Sequence, residues 1–190
     1  MYKKQIAIIL VLSFIALMLG AYLLYSRLGQ SLAPDQLGTQ PAGETKPEAN
    51  PAPDFIVYDA AGNEVRLSDY FGKPIVLNFW ASWCGPCKME MPDFQEKFLT
   101  LGDEVQFLMV NMTAGRETQE SAESFIAEQG YTFPVLFDLD SSAAAAYGAY
   151  SLPTTIFIDA QGNGIARATG AIDAETLQKG IDMILDKGQK

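Results

Sequence analysis

The stretch "NFWASWCGPCKMEMPDF", residues 78–94, decides the fold, and it contains both cysteines of the chain, Cys84 and Cys87. It overlaps the run "IVLNFW", Ile75 to Trp80, which is rich in β-forming apolar residues. Such a run is typical of a central strand that is covered on both faces. The cysteines therefore follow directly after a predicted buried strand.

A helix is predicted immediately after that strand. Apolar residues recur there at near-helical spacing, at Met89, Phe94, Phe98 and Leu101. The pattern predicts a helix from about Pro86 to Thr100, with a kink at Pro92. Reaction sites in α/β sheets lie at the carboxyl ends of the strands. The turn between Trp80 and this helix is therefore a candidate site.

The other elements alternate between strand and helix patterns. Stretches rich in β-forming residues predict two short strands joined around Gly62–Asn63 and further strands at 105–111, 133–138, 154–159 and 165–170. The predicted helices are a turn that opens at Ser68, then 118–129, 142–147 and 174–186. A hairpin turn is predicted at Gln161–Gly164. This order predicts an α/β fold, a mixed central sheet with helices on both faces.

The composition excludes several kinds of site. The chain has 190 residues, a formal net charge of −10, two cysteines and no histidine. Hydrolases with a histidine base and histidine-ligated metal enzymes are excluded by the missing imidazole. Two thiols fall short of the four ligands of a structural zinc, unless carboxylates or a second chain complete the set, so we expect no metal. Because lysines and arginines form no cluster, we expect no nucleic-acid binding.

Residues 1–28 predict a short cytoplasmic tip and a transmembrane signal anchor. The apolar run from Ile6 to Tyr25 would span about 30 Å as a helix, the thickness of the hydrocarbon layer of a bilayer. A cleaved secretory signal is the alternative, but its apolar core is usually shorter. The candidate cleavage site at 31–33 is also followed directly by Pro34. We favour an anchor that leaves the rest of the chain outside the cytoplasm.

Residues 29–53 predict a flexible linker. They are mostly Pro, Gly, Ala, Thr, Gln and charged residues, and such a segment buries too little apolar surface to offset its ordering entropy. The folded part, 54–190, is of the ordinary size for one domain.

The cysteine pair has two interpretations, a structural disulfide or a redox reagent. A bridge across Gly85 and Pro86 closes a very small loop, so it stabilises the fold only weakly. Cys84 is predicted to lie just before the first helical turn, where free N–H groups and the helix dipole stabilise a thiolate. A thiolate is the attacking form in disulfide exchange. We therefore expect Cys84 to attack and the more buried Cys87 to resolve the mixed disulfide.

The motif around the cysteines resembles a known family. "FWASWCGPCK" is similar to the thioredoxin motif, and "LNFWASWCGPCKMEMPDF" with the preceding "LSDYFGKP" resembles the TlpA/ResA-like thiol-disulfide oxidoreductases, which are membrane-anchored and extracytoplasmic. The resemblance covers about residues 54–187. It implies a thioredoxin-like fold with an N-terminal β-hairpin and a helix-strand insertion at about 113–138.

The resemblance also implies residues that dock a substrate. In the distant stretch "YSLPTTIFID", Pro153 is expected to be cis and to face the disulfide, while the backbone of Leu152 pairs with an extended substrate. The alternative is that Pro153 merely starts a strand. Trp83, Gly85 and Pro86 are expected to contact partners beside the disulfide.

Proton handling departs from the thioredoxin pattern. Thioredoxins place a buried aspartate six residues before the first cysteine, and this chain has Asn78 there. Glu90 follows Cys87 by three residues on the same side of the helix, and the TlpA/ResA-like pattern has a glutamate at this spacing. We expect Glu90 to accept the Cys87 proton, with a pKa raised by burial. The alternative is an exposed glutamate that stabilises the helix dipole.

Other residues near the motif receive simpler interpretations. Trp80 is expected in the core. Three methionines near the motif are interpreted as core residues rather than as a copper site: Met89, Met91 and Met112. Arg116 and Glu120 lie in the insertion, where the sequence assigns them no role.

The resemblance implies an enzyme that exchanges disulfides outside the cytoplasmic membrane, in the reducing direction, with a redox-active disulfide and no cofactor. Electrons would come from a membrane thiol transporter and pass to protein disulfides, for example in cytochrome c maturation or to an oxidised extracytoplasmic reductase. An oxidant and an interaction module with an inert disulfide remain alternatives. A peroxidase of the peroxiredoxin type needs a proline and a threonine where this chain has Leu77 and Ala81, and a copper chaperone needs a CxxxC spacing and a histidine.

Overall fold

The computed structural model describes residues 5, 17–19, 38–39 and 50–187. Gln5 and Leu17–Leu19 are helical. Among the described residues, no helix has both the length and the apolar character needed to cross a bilayer. Most of the predicted membrane segment and linker falls outside the described residues, so both stay predictions.

Eight strands of the described chain form a single sheet. Their bounds are β1 Gly38–Thr39, β2 Ile56–Tyr58, β3 Glu64–Arg66, β4 Ile75–Trp80, β5 Gln106–Asn111, β6 Val135–Phe137, β7 Thr154–Ile158 and β8 Gly164–Thr169. The strand order is β1-β8-β7-β4-β5-β6-β2-β3. Strand β4 lies between β5, to which it is parallel, and β7, to which it is antiparallel. The prediction that Ile75 to Trp80 form a central strand is confirmed.

Helices cover both faces of the sheet. Their bounds are α1 Gly85–Leu101, α2 Gln119–Gln129, α3 Ser142–Tyr147 and α4 Ala174–Lys187, and a 3-10 turn spans Leu67–Tyr70. One apolar cluster joins β4 to α1, α2 and α4, and a second joins β4 to α3 and the β2–β3 hairpin. The predicted mixed sheet with helices on both faces, N-terminal hairpin and helix-strand insertion is confirmed.

The alternation of β4 decides which side chains reach α1. Val76 and Trp80 pack in the cluster that contains α1 and α4, whereas Leu77 and Phe79 pack against the opposite cluster. Because side chains alternate along a strand, Asn78 points to the same face as Val76 and Trp80. This places a polar side chain beneath the helix that begins at the cysteines.

Part of the predicted linker pairs with the sheet, and one prediction about the core needs correction. Gly38–Thr39 pair with β8, and the backbone N–H of Ala52 donates to Gly162 O over 2.8 Å, although both lie in the predicted linker. Backbone pairing with an edge strand needs no apolar side chain, so composition did not indicate it. Met89 is 71% exposed, because it lies on the face of α1 opposite the buried Met91.

Candidate active site

The two cysteines form a disulfide at the start of α1. Cys84 is the residue that caps the helix, and the backbone N–H of Cys87 donates to its Sγ over 3.2 Å. Pro86 lies in the first turn, where a missing N–H costs nothing. Cys87 is fully buried and Cys84 is 4% exposed. The N–H that contacts Sγ in the disulfide is positioned to stabilise a thiolate at Cys84 once the bond is reduced.

Glu90 lies one turn further along α1 and is only 2% exposed. Its Oε1 accepts from Asn78 Nδ2 over 2.9 Å, and its Oε2 accepts from the backbone N–H of Ile172 over 3.0 Å. Burial raises the pKa of Glu90 to about 7, although the two hydrogen bonds pull it down; the charge of Asp93 adds a smaller upward shift. The carboxyl can therefore gain or lose a proton near neutral pH.

Asn78 connects Glu90 to the sheet. Its Nδ2 also donates to Thr155 Oγ1 over 3.0 Å, and Thr155 is its direct neighbour across the β4–β7 pair. Its Oδ1 is buried and has no partner within the described chain. An amide at this position donates to Glu90, whereas a second carboxyl would compete with it for a proton.

A groove of about 410 Å³ runs beside the disulfide. Its lining includes Trp83, Cys84, Gly85, Pro86 and Leu152. Trp83 is 46% exposed, so its ring is accessible to a partner. These elements give a partner chain a surface next to the reactive sulfur.

The peptide bond between Leu152 and Pro153 at the edge of this groove is cis. Pro153 itself is buried, and its C=O accepts from Gly170 N over 2.9 Å. In the described chain, no hydrogen bond uses the backbone N–H or C=O of Leu152. Both groups remain available to an extended substrate, so the docking role expected for Leu152 stays a prediction with the necessary groups in place.

The sequence did not reveal one further side chain, the buried Glu117. Its Oε1 accepts from Ser82 N over 2.8 Å and from Asn111 Nδ2 over 2.9 Å, and its Oε2 accepts from Ser82 Oγ over 2.9 Å. In the sequence it stands directly before Thr118, which caps α2, and an acidic residue there is ordinary. The one available signal was Asn111, a polar residue at the carboxyl end of a buried strand.

The predicted site residues divide into two groups. Those that line the groove are Trp83, Cys84, Gly85, Pro86 and Leu152. Those that lie buried behind it are Asn78, Cys87, Glu90 and Pro153. Within the described residues, no group of His, Cys, Asp or Glu has the arrangement of a metal site.

The sequence and the fold are similar to those of known proteins. Residues 49–165 match the AhpC/TSA family. The chain is 39% identical over 134 residues to thiol-disulfide oxidoreductase ResA of Geobacillus kaustophilus, covering 70% of this chain and 75% of the relative. It is 32% identical over 142 residues to ResA of Bacillus subtilis, covering 74% and 78%. The crystal structure of a DsbF homologue from Corynebacterium diphtheriae matches with a TM-score of 0.66 and 30% identity, covering 80% of this chain and 94% of that one.

These matches agree with the site. The matched residues include the CGPC motif and the strand that precedes it, and the relatives are named for exchange between thiols and disulfides. The chain therefore belongs to the AhpC/TSA family and is a thiol-disulfide oxidoreductase of the ResA-like, thioredoxin-fold type.

Proposed function

We propose that this enzyme reduces protein disulfides outside the cytoplasmic membrane through the Cys84–Cys87 couple. The observation that carries the proposal is the pairing of a helix-capping disulfide with a buried carboxyl one turn away, whose pKa lies at about 7. A structural staple needs neither feature. A thiol reagent uses both, since one cysteine attacks as a thiolate and the other must lose a proton.

In the first step, the Cys84 thiolate of the reduced enzyme attacks one sulfur of a partner disulfide. A bond forms between Cys84 Sγ and that sulfur, and the partner's other sulfur leaves as a thiolate. The N–H of Cys87 that contacts Cys84 Sγ in the disulfide would stabilise the attacking thiolate. The unpaired backbone of Leu152 would hold the partner chain in an extended conformation beside it.

In the second step, Cys87 resolves the mixed disulfide. Its thiol gives a proton to the Glu90 carboxylate and its sulfur attacks Cys84 Sγ, which forms the intramolecular disulfide and releases the second partner thiolate. The partner gains two electrons in total, and the enzyme loses two. The couple needs no cofactor beyond the disulfide itself.

The reducing direction and the location form the finer part of the proposal. The Gly85–Pro86 pair matches that of reducing thioredoxins, and the apolar run from Ile6 to Tyr25 is long enough to anchor the chain. With that anchor, the enzyme would receive electrons from a membrane thiol transporter. It would pass them to cysteine pairs such as those used in cytochrome c maturation, or to an extracytoplasmic reductase.

A trapping experiment tests the proposal. The full-length Cys87→Ser variant, first reduced, is expected to accumulate a mixed disulfide between Cys84 and a protein disulfide substrate, seen by mass spectrometry. Cys84→Ser is the matched control and should trap nothing. Absence of both turnover by the native chain and adduct in Cys87→Ser would support the inert-disulfide alternative. A reduction potential near the oxidising end, about −120 mV, would reverse the proposed direction.

The peroxidase alternative finds no support in the site. Leu77 and Ala81 stand where that chemistry needs a proline and a threonine, and both are buried apolar residues. Neither offers a hydroxyl to a peroxide.

A further inference from the structure

Two consecutive residues of the insertion loop contact two consecutive residues of the active-site loop. Glu117 accepts hydrogen bonds from both the N–H and the hydroxyl of Ser82. The Arg116 guanidinium lies over the ring of Trp83, 3.9 Å from its centroid. The loop between β5 and α2 therefore positions the residues that come directly before Cys84.

The Arg116 guanidinium retains its hydrogen-bonding capacity. In the described chain, no carboxylate or carbonyl accepts from it, and its contact is the stacking on Trp83. Stacking uses the face of a guanidinium and leaves its N–H edge free for a planar, bidentate partner such as a carboxylate. The Trp83 ring also restricts the side chain, which lowers the entropy lost when such a pair forms.

The groove is otherwise without charge. Among the described residues that line it, Arg116 is the one with a charged side chain, and Met112, Tyr150 and Leu152 supply apolar and aromatic surface. Tyr150 is 81% exposed, so this surface is open to a partner. An extended chain could bury apolar side chains here and place one charged side chain against Arg116.

The net charge of −10 would by itself favour basic partners. At physiological ionic strength, however, charges more than about 8 Å apart are largely screened. The nearest exposed charge therefore dominates discrimination within the groove. Glu117 is buried and its oxygens accept three hydrogen bonds outside the groove lining, so that charge is the cation of Arg116. The acidic residues elsewhere in the chain mainly increase its solubility.

We propose that Arg116 selects partners that carry an aspartate or glutamate close to their reactive cysteine, by pairing with that carboxylate while the cysteine meets Cys84. The inference rests on the proposed disulfide exchange, and it adds the chemistry by which partners are distinguished. Arg116 acts here as a specificity residue that contacts the substrate, while Glu117 positions the loop.

Matched peptides provide the test. In a series of disulfide-containing peptides, a single position carries Glu, Gln or Lys, and that position is moved one residue at a time along the peptide. Their reduction by the full-length enzyme gives kcat/KM, and titration with Ser-for-Cys versions gives affinity without turnover. We expect the best-placed Glu to be favoured over Lys by about fivefold at about 0.15 M salt in both measurements, the upper end for an exposed ion pair. The preference should vanish in Arg116→Ala and reverse in Arg116→Glu.

Arg66→Ala is the matched control, because Arg66 is an exposed arginine on β3 outside the groove. It should keep the full Glu preference. The inference would be overturned by equal affinity for the Glu and Lys peptides at every position, or by a Glu preference that survives Arg116→Ala. In either case, reduction of the Gln peptide would still support the proposed function. Failure to reduce any peptide would overturn the proposed function, whereas an Arg116-dependent Glu preference in the titration would still support the role of Arg116.

Discussion

The amide Nδ2 of Asn78 donates to Oε1 of Glu90 over 2.9 Å, which joins the central strand to the helix that carries the cysteines. This bond and the Ile172 N–H favour the ionised carboxylate, while burial favours the neutral acid. Burial is the larger effect, and the pKa of Glu90 rises from 4.5 to about 7. Asn78 therefore keeps a buried acid within the range in which it exchanges protons at neutral pH.

Replacing Glu90 by Gln should slow the resolving step. The carboxylate form, which can accept the Cys87 proton, becomes populated as the pH rises through about 7. We expect the single-turnover rate of the native chain to rise across that range. In Glu90→Gln, the rise should shift to higher pH, where thiols ionise unaided. The rate at pH 7.5 should fall by about tenfold, which is below the usual range for a general base because of that unaided ionisation.

The exposed Glu96 lies in the same helix and provides the control, Glu96→Gln. Its pH profile should match that of the native chain. If the Glu90→Gln profile also matches it, Glu90 is not the base.

Glu90 should also make stability depend on pH. A folded-state pKa of about 7 against an ordinary 4.5 means that the folded chain holds the proton more tightly than the unfolded chain does. Its contribution to stability is fully present below pH 4.5 and is lost as the pH rises to about 7, by about 3 kcal/mol in total. Urea unfolding at pH 5 and pH 8 should show most of this loss in the native chain and none of it in Glu90→Gln. An equal change in both chains would assign the effect to other groups.

Features set by neighbouring residues could be predicted from the sequence. The turns after β2 and β7 both contain Asp-Ala-x-Gly-Asn, and in each the first Asp accepts backbone N–H groups within the turn. Strand β4, helix α3 and the capping position of Cys84 also follow from local pattern. Their boundaries agree with the structure to within a residue or two.

Features set by residues far apart in the sequence could not be predicted in the same way. Glu90 meets Ile172 across 82 positions and Ser82 meets Glu117 across 35. No periodicity reports such contacts, since they depend on how loops pack once the sheet has formed. The family resemblance drew attention to Glu90, whereas Glu117 stands at a helix start and has no comparable signal.

Asn78→Asp would place a second carboxyl beside Glu90. Two carboxyls at hydrogen-bonding distance share one proton at neutral pH, which raises one pKa further and couples their titrations. We expect this variant to be less stable than Asn78→Ala by more than about 1.4 kcal/mol at pH 8, the equivalent of one pKa unit, and by less at pH 5. Urea unfolding of the two variants at pH 8 and at pH 5 measures both stability differences. A difference that is the same at the two pH values would show that the carboxyls do not interact.

Glu117→Ala should loosen the loop that presents Trp83 and Cys84. The substitution leaves the Ser82 N–H and the Asn111 amide without the acceptor they share, at a cost of about 2 to 4 kcal/mol. In Glu117→Gln, Oε1 can still accept from both groups, and the new amide can donate to Ser82 Oγ. We therefore expect this variant to stay within about 1 kcal/mol of the native chain.

Stability alone does not separate a positioning role from a structural one, so Trp83 supplies the second measurement. Because Glu117 holds Ser82, Glu117→Ala should increase the quenching of Trp83 fluorescence by acrylamide and raise KM more than it lowers kcat, and Glu117→Gln should restore both. Glu128→Ala, in the exposed face of α2, is the control and should change neither. Restored stability without restored quenching in Glu117→Gln would mean that the contact with Ser82 does not position Trp83.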